Sequence, residues 1–234
     1  MISAIILSGG KAKRMGGEKS FRKYNEKFLV ENIADVLVEM KIPFITVFKN
    51  LKLINGPENY KKSHSLTKTI DTEIANQLYF FRKYRQTITW DILSDKGPLV
   101  GILSGMRVSS SEWILVLPCD MPFVTKDSIN KLINFIPNAK LKKCNCIVPR
   151  HENGNLEPLF SIYHKSSIKV LEELARKIKE NEGNVKKEKK EKYSSIRKLI
   201  DNLKPLYVDA NEIDPTKKTF INVNTLDDLK LLNG

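Results

Sequence analysis

An α/β chain built on a mostly parallel central sheet is what this sequence predicts, and three observations predict it. Apolar runs of strand length recur along the first half: Ala4 to Leu7, Phe44 to Phe48, Ile88 to Leu93 and Trp113 to Leu117. Stretches with helical spacing of apolar residues alternate with them. The first run breaks at once into Ser8-Gly9-Gly10. A strand, a glycine loop, a helix and a second strand make the opening of a right-handed parallel sheet. The length, 234 residues, suits one such domain, here residues 1–234 with an insertion at about 50–86.

The elements follow in chain order. Ala4 to Leu7 is a buried strand. From Phe28 to Lys41, Leu29, Ile33, Val36 or Leu37, and Met40 share one helical face, and Pro43 ends the helix. Phe44 to Phe48 is the second buried strand. Within 49–86, Lys61-Lys62-Ser63-His64-Ser65 reads as a loop and Asp71 to Arg82 as a helix. Leu78, Tyr79, Phe80 and Phe81 lie there in an element with real burial. Ile88 to Leu93 is the third strand, leading through Asp91 and Asp95 into Gly97-Pro98-Leu99-Val100-Gly101. Pro98 opens a helix, because its missing N–H costs nothing in a first turn. Gly101 inside that helix costs up to ~1 kcal/mol relative to alanine, so it points to close packing or close ligand approach.

Trp113 to Leu117, apolar throughout, is a central strand ending in Pro118-Cys119-Asp120-Met121-Pro122. Thr125 caps a helix through Ile136. Cys146 to Pro149 is a short strand, and Leu156 to Tyr163, containing Glu157-Pro158-Leu159, is extended. Ser166 caps a helix into Lys177. The lysine- and glutamate-rich stretch at about 178–192 reads as a charged, mobile segment. Ser194 to Asn202 is helical, Leu206 to Val208 and Phe220 to Val223 are strands, and Thr225 caps a last helix to Leu232.

Composition excludes several classes. No apolar run approaches the roughly 20 residues that a spanning helix needs, and no secretory leader is visible, which favours the cytoplasm. Cys119, Cys144 and Cys146 are an odd number, and Cys144-Asn145-Cys146 has poor spacing for zinc, so the cysteines read as free. The net charge is +13 with a pI near 9.5. That excess is spread along the chain, with glutamate interleaved, which reads as lysine-biased composition rather than a nucleic-acid footprint.

The chemistry gathers at two places. Lys11, Lys13, Arg14 and Lys19 surround the glycine pairs Gly9-Gly10 and Gly16-Gly17. Backbone amides in such a turn form an anion site, and the cations beside it point to a polyphosphate. The spacing is neither that of a Walker loop nor that of the dinucleotide fingerprint. The second place is Asp120, a carboxylate just past the end of a central parallel strand, where open α/β sheets bind ligands. Nucleoside triphosphates bring Mg²⁺, which takes one or two carboxylates, so Asp120 is the candidate metal ligand.

The first loop resembles the signature of nucleotidyltransferases that activate sugars and cofactors: Leu-Ala-Gly-Gly, then Arg-Met-Gly, then Lys, with Ser8 here in place of the alanine. Three more segments sharpen the likeness to molybdenum cofactor guanylyltransferases. They are Gly97-Pro98-Leu99-Val100-Gly101, Pro118-Cys119-Asp120-Met121-Pro122, and Phe220-Ile221-Asn222-Val223-Asn224-Thr225 with its following acidic pair Asp227-Asp228. The resemblance implies a three-layer Rossmann-like fold and transfer of GMP from GTP to molybdopterin cofactor with release of pyrophosphate. It implies that Leu7, Ser8 and Gly9 hold the nucleotide, with Gly10, Arg14 and Lys19 around its phosphates. By the same resemblance Asp91 would contact the nucleotide, Asp120 would bind Mg²⁺, and Asn222 and Asn224 would face the acceptor or the metal site. Where the family has a nucleotide-contacting asparagine after the second strand, this chain has Phe48, with Asn50 two residues on. The chain is expected to be a monomer or weak homo-oligomer, with proteins that carry or receive the cofactor as partners. A cytidylyltransferase, a sugar-phosphate nucleotidyltransferase, or a non-catalytic nucleotide- or nucleic-acid-binding protein are the alternatives.

Overall fold

Strand-forming runs that are apolar on both faces need cover on both faces, and the molecule supplies it as helix layers on either side of a sheet. The computed structural model describes residues 1–8, 19–49, 64–92, 97–180, 195–225 and 227–228, and not the side chains of 64–71 or 195. The strands are β1 (Ile2–Leu7), β2 (Lys23–Tyr24), β3 (Lys27–Phe28), β4 (Phe44–Phe48), β5 (Thr87–Trp90), β6 (Trp113–Pro118), β7 (Cys146–Arg150), β8 (Ser161–His164) and β9 (Pro205–Asp209). The helices are α1 (Leu29–Glu39), α2 (His64–Tyr84), α3 (Pro98–Val108), α4 (Lys126–Ile133), α5 (Ile136–Leu141), α6 (Ile168–Glu180), α7 (Ser195–Asp201) and α8 (Ala210–Ile213). The main sheet has the order β5-β4-β1-β6-β8-β7-β9, and β2 and β3 form a separate hairpin. β1 pairs in parallel with β4 and β6, β4 with β5, and β7 with β9, while β8 runs against both neighbours.

Alternation along β1 divides the core. Ala4 and Ile6 face the layer of α1 and α4, together with Phe48, Leu115, Leu117 and Ile129. Ile5 and Leu7 face the layer of α3, α6 and α7, together with Val47, Leu103, Val116 and Leu171. Two glycines let α3 approach β1. A Cβ on Gly105 would lie 2.7 Å from Cδ1 of Ile5, and one on Gly101 would lie 2.9 Å from Cδ2 of Leu7. Four residues along a helix advance about as far as two along a strand, so the pair meets successive inward residues of β1. Close packing is therefore what Gly101 serves.

Several boundaries differ from the sequence reading. The 49–86 segment carries α2, longer than expected, as the crossover between the neighbouring parallel strands β4 and β5. Phe80 is fully buried there, at 5.8 Å from Phe48 and 4.6 Å from Tyr84 between ring centroids. Leu78, Tyr79 and Phe81, expected to be buried, are exposed. The helix begun by Thr125 stops at Ile133 and restarts as α5. Pro137 has no N–H to donate to the preceding turn, so the chain begins a new helix with Pro137 in its first turn. The nitrogen of His164, not Ser166, caps the turn that leads into α6. Phe220 to Val223 is not a strand: a single 3-10 turn over Lys218–Phe220 is followed by irregular chain. The charged segment begins inside α6, which ends at Glu180, and its remainder lies outside the described residues.

Candidate active site

Strand order reverses between β1 and β6. The chain passes from β1 to β4 and β5 on one side, then crosses to β6 on the other, and this divergence opens a crevice at the carboxyl ends. Leu7 is in register with Pro118, and the N–H of Cys119 donates to the carbonyl of Leu7 at 3.1 Å. Ser8 and Asp120 therefore leave neighbouring strands at the same edge. The side chain of Leu7 packs into the core below α3. The N–H of Ser8 donates to Val47 at 2.9 Å, so that amide belongs to the sheet, whereas its hydroxyl is buried with no hydrogen-bond partner among the described residues.

Lys19 enters from a 3-10 turn over Lys19–Phe21, which is anchored by Phe21 against the rings of Phe48 and Phe28 at 5.7 Å and 5.4 Å. Its ammonium donates to Oδ2 of Asp120 at 2.6 Å and to Oδ1 of Asn224 at 2.9 Å. The Lys19 and Asp120 side chains are 12% and 21% exposed, so the pair is shielded but reachable. The C-terminal segment completes the group. The N–H of Val223 donates to the carbonyl of Asp120 at 2.9 Å. Asp228 accepts the N–H groups of Asn224 and Thr225 at 2.7 and 2.8 Å, and its own N–H donates to Oγ1 of Thr225 at 3.0 Å. Those backbone hydrogen bonds, first that of Asn224, hold the Asp228 carboxyl below its ordinary range, and the nearby charge of Lys19 adds to the effect. Asp228 escaped the sequence reading as a site residue, although Thr225-x-x-Asp228 carries the spacing of a helix-capping box.

Oδ1 of Asp120 is buried with no hydrogen-bond partner among the described residues. One engaged and one open carboxylate oxygen fit a hard ion that keeps most of its waters and takes a single carboxylate. No cluster of three or more His, Cys, Asp or Glu that could hold a metal occurs among the described residues, so such an ion would depend on phosphate oxygens for its other ligands.

The remaining expected residues divide. Asp91 follows β5, its N–H donating to Phe48 at 3.0 Å, and Oδ1 sits 3.3 Å from where a Cβ on Gly101 would be. It shares the carboxyl edge with Asp120 but stands three strand spacings away, about 14 Å. Ser104, buried in α3, fixes the backbone after it, accepting from the N–H of Ile92 at 3.1 Å and donating to Val100 at 2.9 Å. The exposed Asn222 bonds back to Phe220 at 3.3 Å and is not part of the Lys19 group. Phe48 is fully buried in the aromatic cluster and offers nothing to a base. Gly9, Gly10, Arg14 and Asn50 lie outside the described residues. None of Cys119, Cys144 and Cys146 is in a disulfide. Among the described residues no helix is long and apolar enough to cross a membrane.

Comparison with known proteins returns a consistent answer. The family model of the MobA-like NTP transferase domain matches residues 4–191. A Methanocaldococcus jannaschii protein described as a probable molybdenum cofactor guanylyltransferase is 39% identical over 98% of this chain and 97% of its own length. A Methanosarcina mazei protein of the same description is 29% identical over 99% of this chain and 90% of its own. The crystal structure of molybdopterin-guanine dinucleotide biosynthesis protein A from Archaeoglobus fulgidus superposes with a TM-score of 0.67 at 23% identity, covering 100% of this chain and 97% of that one.

Proposed function

We infer the reaction from one premise: this chain belongs to the MobA-like NTP transferase family. It transfers GMP from GTP to the terminal phosphate of molybdopterin cofactor, releasing pyrophosphate, in molybdenum cofactor biosynthesis. The observation that carries the residue assignment is the convergence of Lys19, Asp120 and Asn224 at the edge between β1 and β6.

An oxygen of the acceptor's phosphate attacks the α-phosphorus in line. The new P–O bond forms as the bond to the bridging oxygen breaks, and pyrophosphate leaves with the electron pair. No protein nucleophile is needed, so the chain's work is positioning and charge neutralisation. Lys19 sets a cation against the triphosphate, and Arg14 is assigned the same role from the family motif. The N–H of Ser8 is taken by the sheet, so the anion-binding role proposed for this turn falls to the Gly9-Gly10 amides. The open Oδ1 of Asp120 would hold Mg²⁺, which when bound offsets phosphate charge that builds in the transition state. Ser8 and Asp91 line the nucleotide's side of the crevice, with Leu7 supporting the turn from the core rather than touching the nucleotide, and Asn222 and Asn224 line the acceptor's side. Base selection falls to residues past β4, Asn50 among them, because Phe48 is committed to the core. Cysteines held out of disulfides suit a reducing cytoplasm, and proteins that carry or receive the cofactor are the natural partners.

The test is incubation of the full chain with Mg²⁺, molybdopterin cofactor and each nucleoside triphosphate in turn, with mass analysis of the product. The expected product is the guanine dinucleotide form, made from GTP alone. A cytosine product would reassign the base, and no pyrophosphate from any nucleotide would overturn the reaction.

A further inference from the structure

We propose that His151 and Glu157 form the far end of the acceptor site, where the Glu157 carboxylate accepts hydrogen bonds from the ring N–H and exocyclic amine of the acceptor's pterin. This rests on the transfer reaction inferred above. The pair is His151 Nε2 and Glu157 Oε1, 2.9 Å apart, with side chains 16% and 20% exposed. It is therefore mostly withdrawn from water yet open to a ligand.

Topology puts the pair on the working edge. β8 runs against both β6 and β7, so β6 and β7 end on the same side of the sheet. Val116 pairs with Ser161, and Ile147 with Ile162, which sets Val148 level with Val116. Three residues further on, His151 stands level with Cys119, two strand spacings from it, about 10 Å. The segment from Phe220 to Asn224 spans this interval. The ring of Phe220 meets His151 edge-on at 5.1 Å and Phe160 at 5.6 Å. Three residues later Val223 bonds to the carbonyl of Asp120, and Asn224 bonds to Lys19. The exposed Asn222 lies between the two ends. Leu7, Ser8 and Asp91 all belong to the β1, β4 and β5 side of Asp120, which leaves the β6, β8 and β7 side for the acceptor.

The chemistry of the pair matches a ring with adjacent donors. A carboxylate takes two parallel N–H groups in the manner of a bidentate fork. Glu157 is held for this: its N–H donates to Pro149 at 3.0 Å, and its carbonyl accepts from Phe160 at 3.1 Å and Ser161 at 2.6 Å. His151 turns the carboxylate, and its own N–H donates to Asn155 at 2.8 Å. Burial pushes the Glu157 carboxyl upward, against the pull of the His151 hydrogen bond, so the group gains from further donors.

The experiment is steady-state transfer from Mg·GTP to molybdopterin cofactor by the wild-type chain, Glu157→Gln and His151→Gln, with GTP titration and thermal unfolding alongside. Glu157→Gln presents an amide donor where a carboxylate accepted. It is expected to raise the KM for the acceptor by about tenfold, the cost of one misdirected buried hydrogen bond, with kcat and GTP affinity unchanged. His151→Gln is expected to act in the same direction with a smaller rise. An unchanged acceptor KM in Glu157→Gln overturns the assignment. So does a loss of GTP affinity and unfolding temperature in both variants, which marks the pair as a brace for the β7–β8 connection. Absence of transfer by the wild-type chain would fault the reaction itself, a separate result from wild-type transfer with an indifferent Glu157→Gln.

Discussion

Asp120 combines three roles at one residue: its carbonyl holds Val223, Oδ2 holds Lys19, and Oδ1 is open. Asp120→Asn keeps the shape and removes the charge. Turnover is expected to fall at least about a hundredfold, as when a charge-stabilising group is lost, with far-UV circular dichroism unchanged. Turnover at the wild-type level would remove Asp120 from the chemistry. A second carboxylate acts on stability. Burial raises the pKa of Asp214, but hydrogen bonds from Thr216 and Thr219 outweigh it and bring the group down to about 2 from 3.8. A depressed folded pKa means the stabilisation is complete above the unfolded value and drains away as pH falls from 3.8 toward 2. Urea unfolding across that window should steepen for the wild-type chain and flatten for Asp214→Asn. At this scale Asp120 and Lys19 were legible because a carboxylate at a central strand end and a cation beside a glycine loop suit phosphate chemistry, whereas Asn224 came only through the family resemblance. The sequence reading named Asp228 only as half of an acidic pair and gave it no role, because its importance comes from the backbone it holds. It placed Phe48 in a buried strand, and the structure agrees, but its ring partners Phe21 and Phe80, 27 residues before and 32 after it, were not legible.

Among elements, α3 is the one whose placement the site depends on most, because it packs beneath Leu7 and beside Asp91. Gly105→Ala puts a Cβ 2.7 to 3.0 Å from three atoms of Ile5, two of them carried on its branched Cβ, where χ1 is stiff and the packed core leaves no room to turn. Overpacking of this kind costs about 1–3 kcal/mol, against a helix-propensity gain of up to about 1 kcal/mol. The unfolding temperature is therefore expected to drop by a few degrees, and a rise in calorimetry would contradict the packing described. Periodicity made α1, β4, α3 and β6 legible, since each is long or apolar enough to carry its own signal. α2 was harder: its outward face carries Ile74, Leu78 and Phe81 while Gln77 and Phe80 turn inward, so apolar residues surround it and blur the stripe. The segment from Phe220 to Val223 misled because β-branched and aromatic residues there serve a turn and a plug, with the chain's hydrogen bonds going to Asp120 and to its own turn rather than to a ladder.

For the molecule as a whole, net charge and substrate charge are opposed: the chain carries +13 and both substrates are polyanions. Long-range attraction should speed their arrival, so kcat/KM for Mg·GTP is expected to fall as ionic strength rises past the point where the screening length is about 10 Å, with kcat little changed. An apparent second-order rate indifferent to salt would confine the excess charge to solvation. The mostly parallel sheet was readable from the alternation of strands and helices, but the insertion of β8 between β6 and β7 was not. That reversal is a pairing between distant segments, and local pattern carries no record of it. The segment from Phe220 to Asn224 lies across the carboxyl edge. Lys19 and Asn224 are separated by 205 positions, the largest span bridged by the Lys19 group. A chain emerging from the ribosome can assemble β1 through β6 long before residue 220 exists, and at that stage Lys19 lacks the Asn224 oxygen and Asp120 lacks the Val223 N–H. Competence then arrives late and all at once, so a protein interrupted during synthesis, or clipped before the segment, is expected to keep its sheet yet leave GTP and cofactor unjoined.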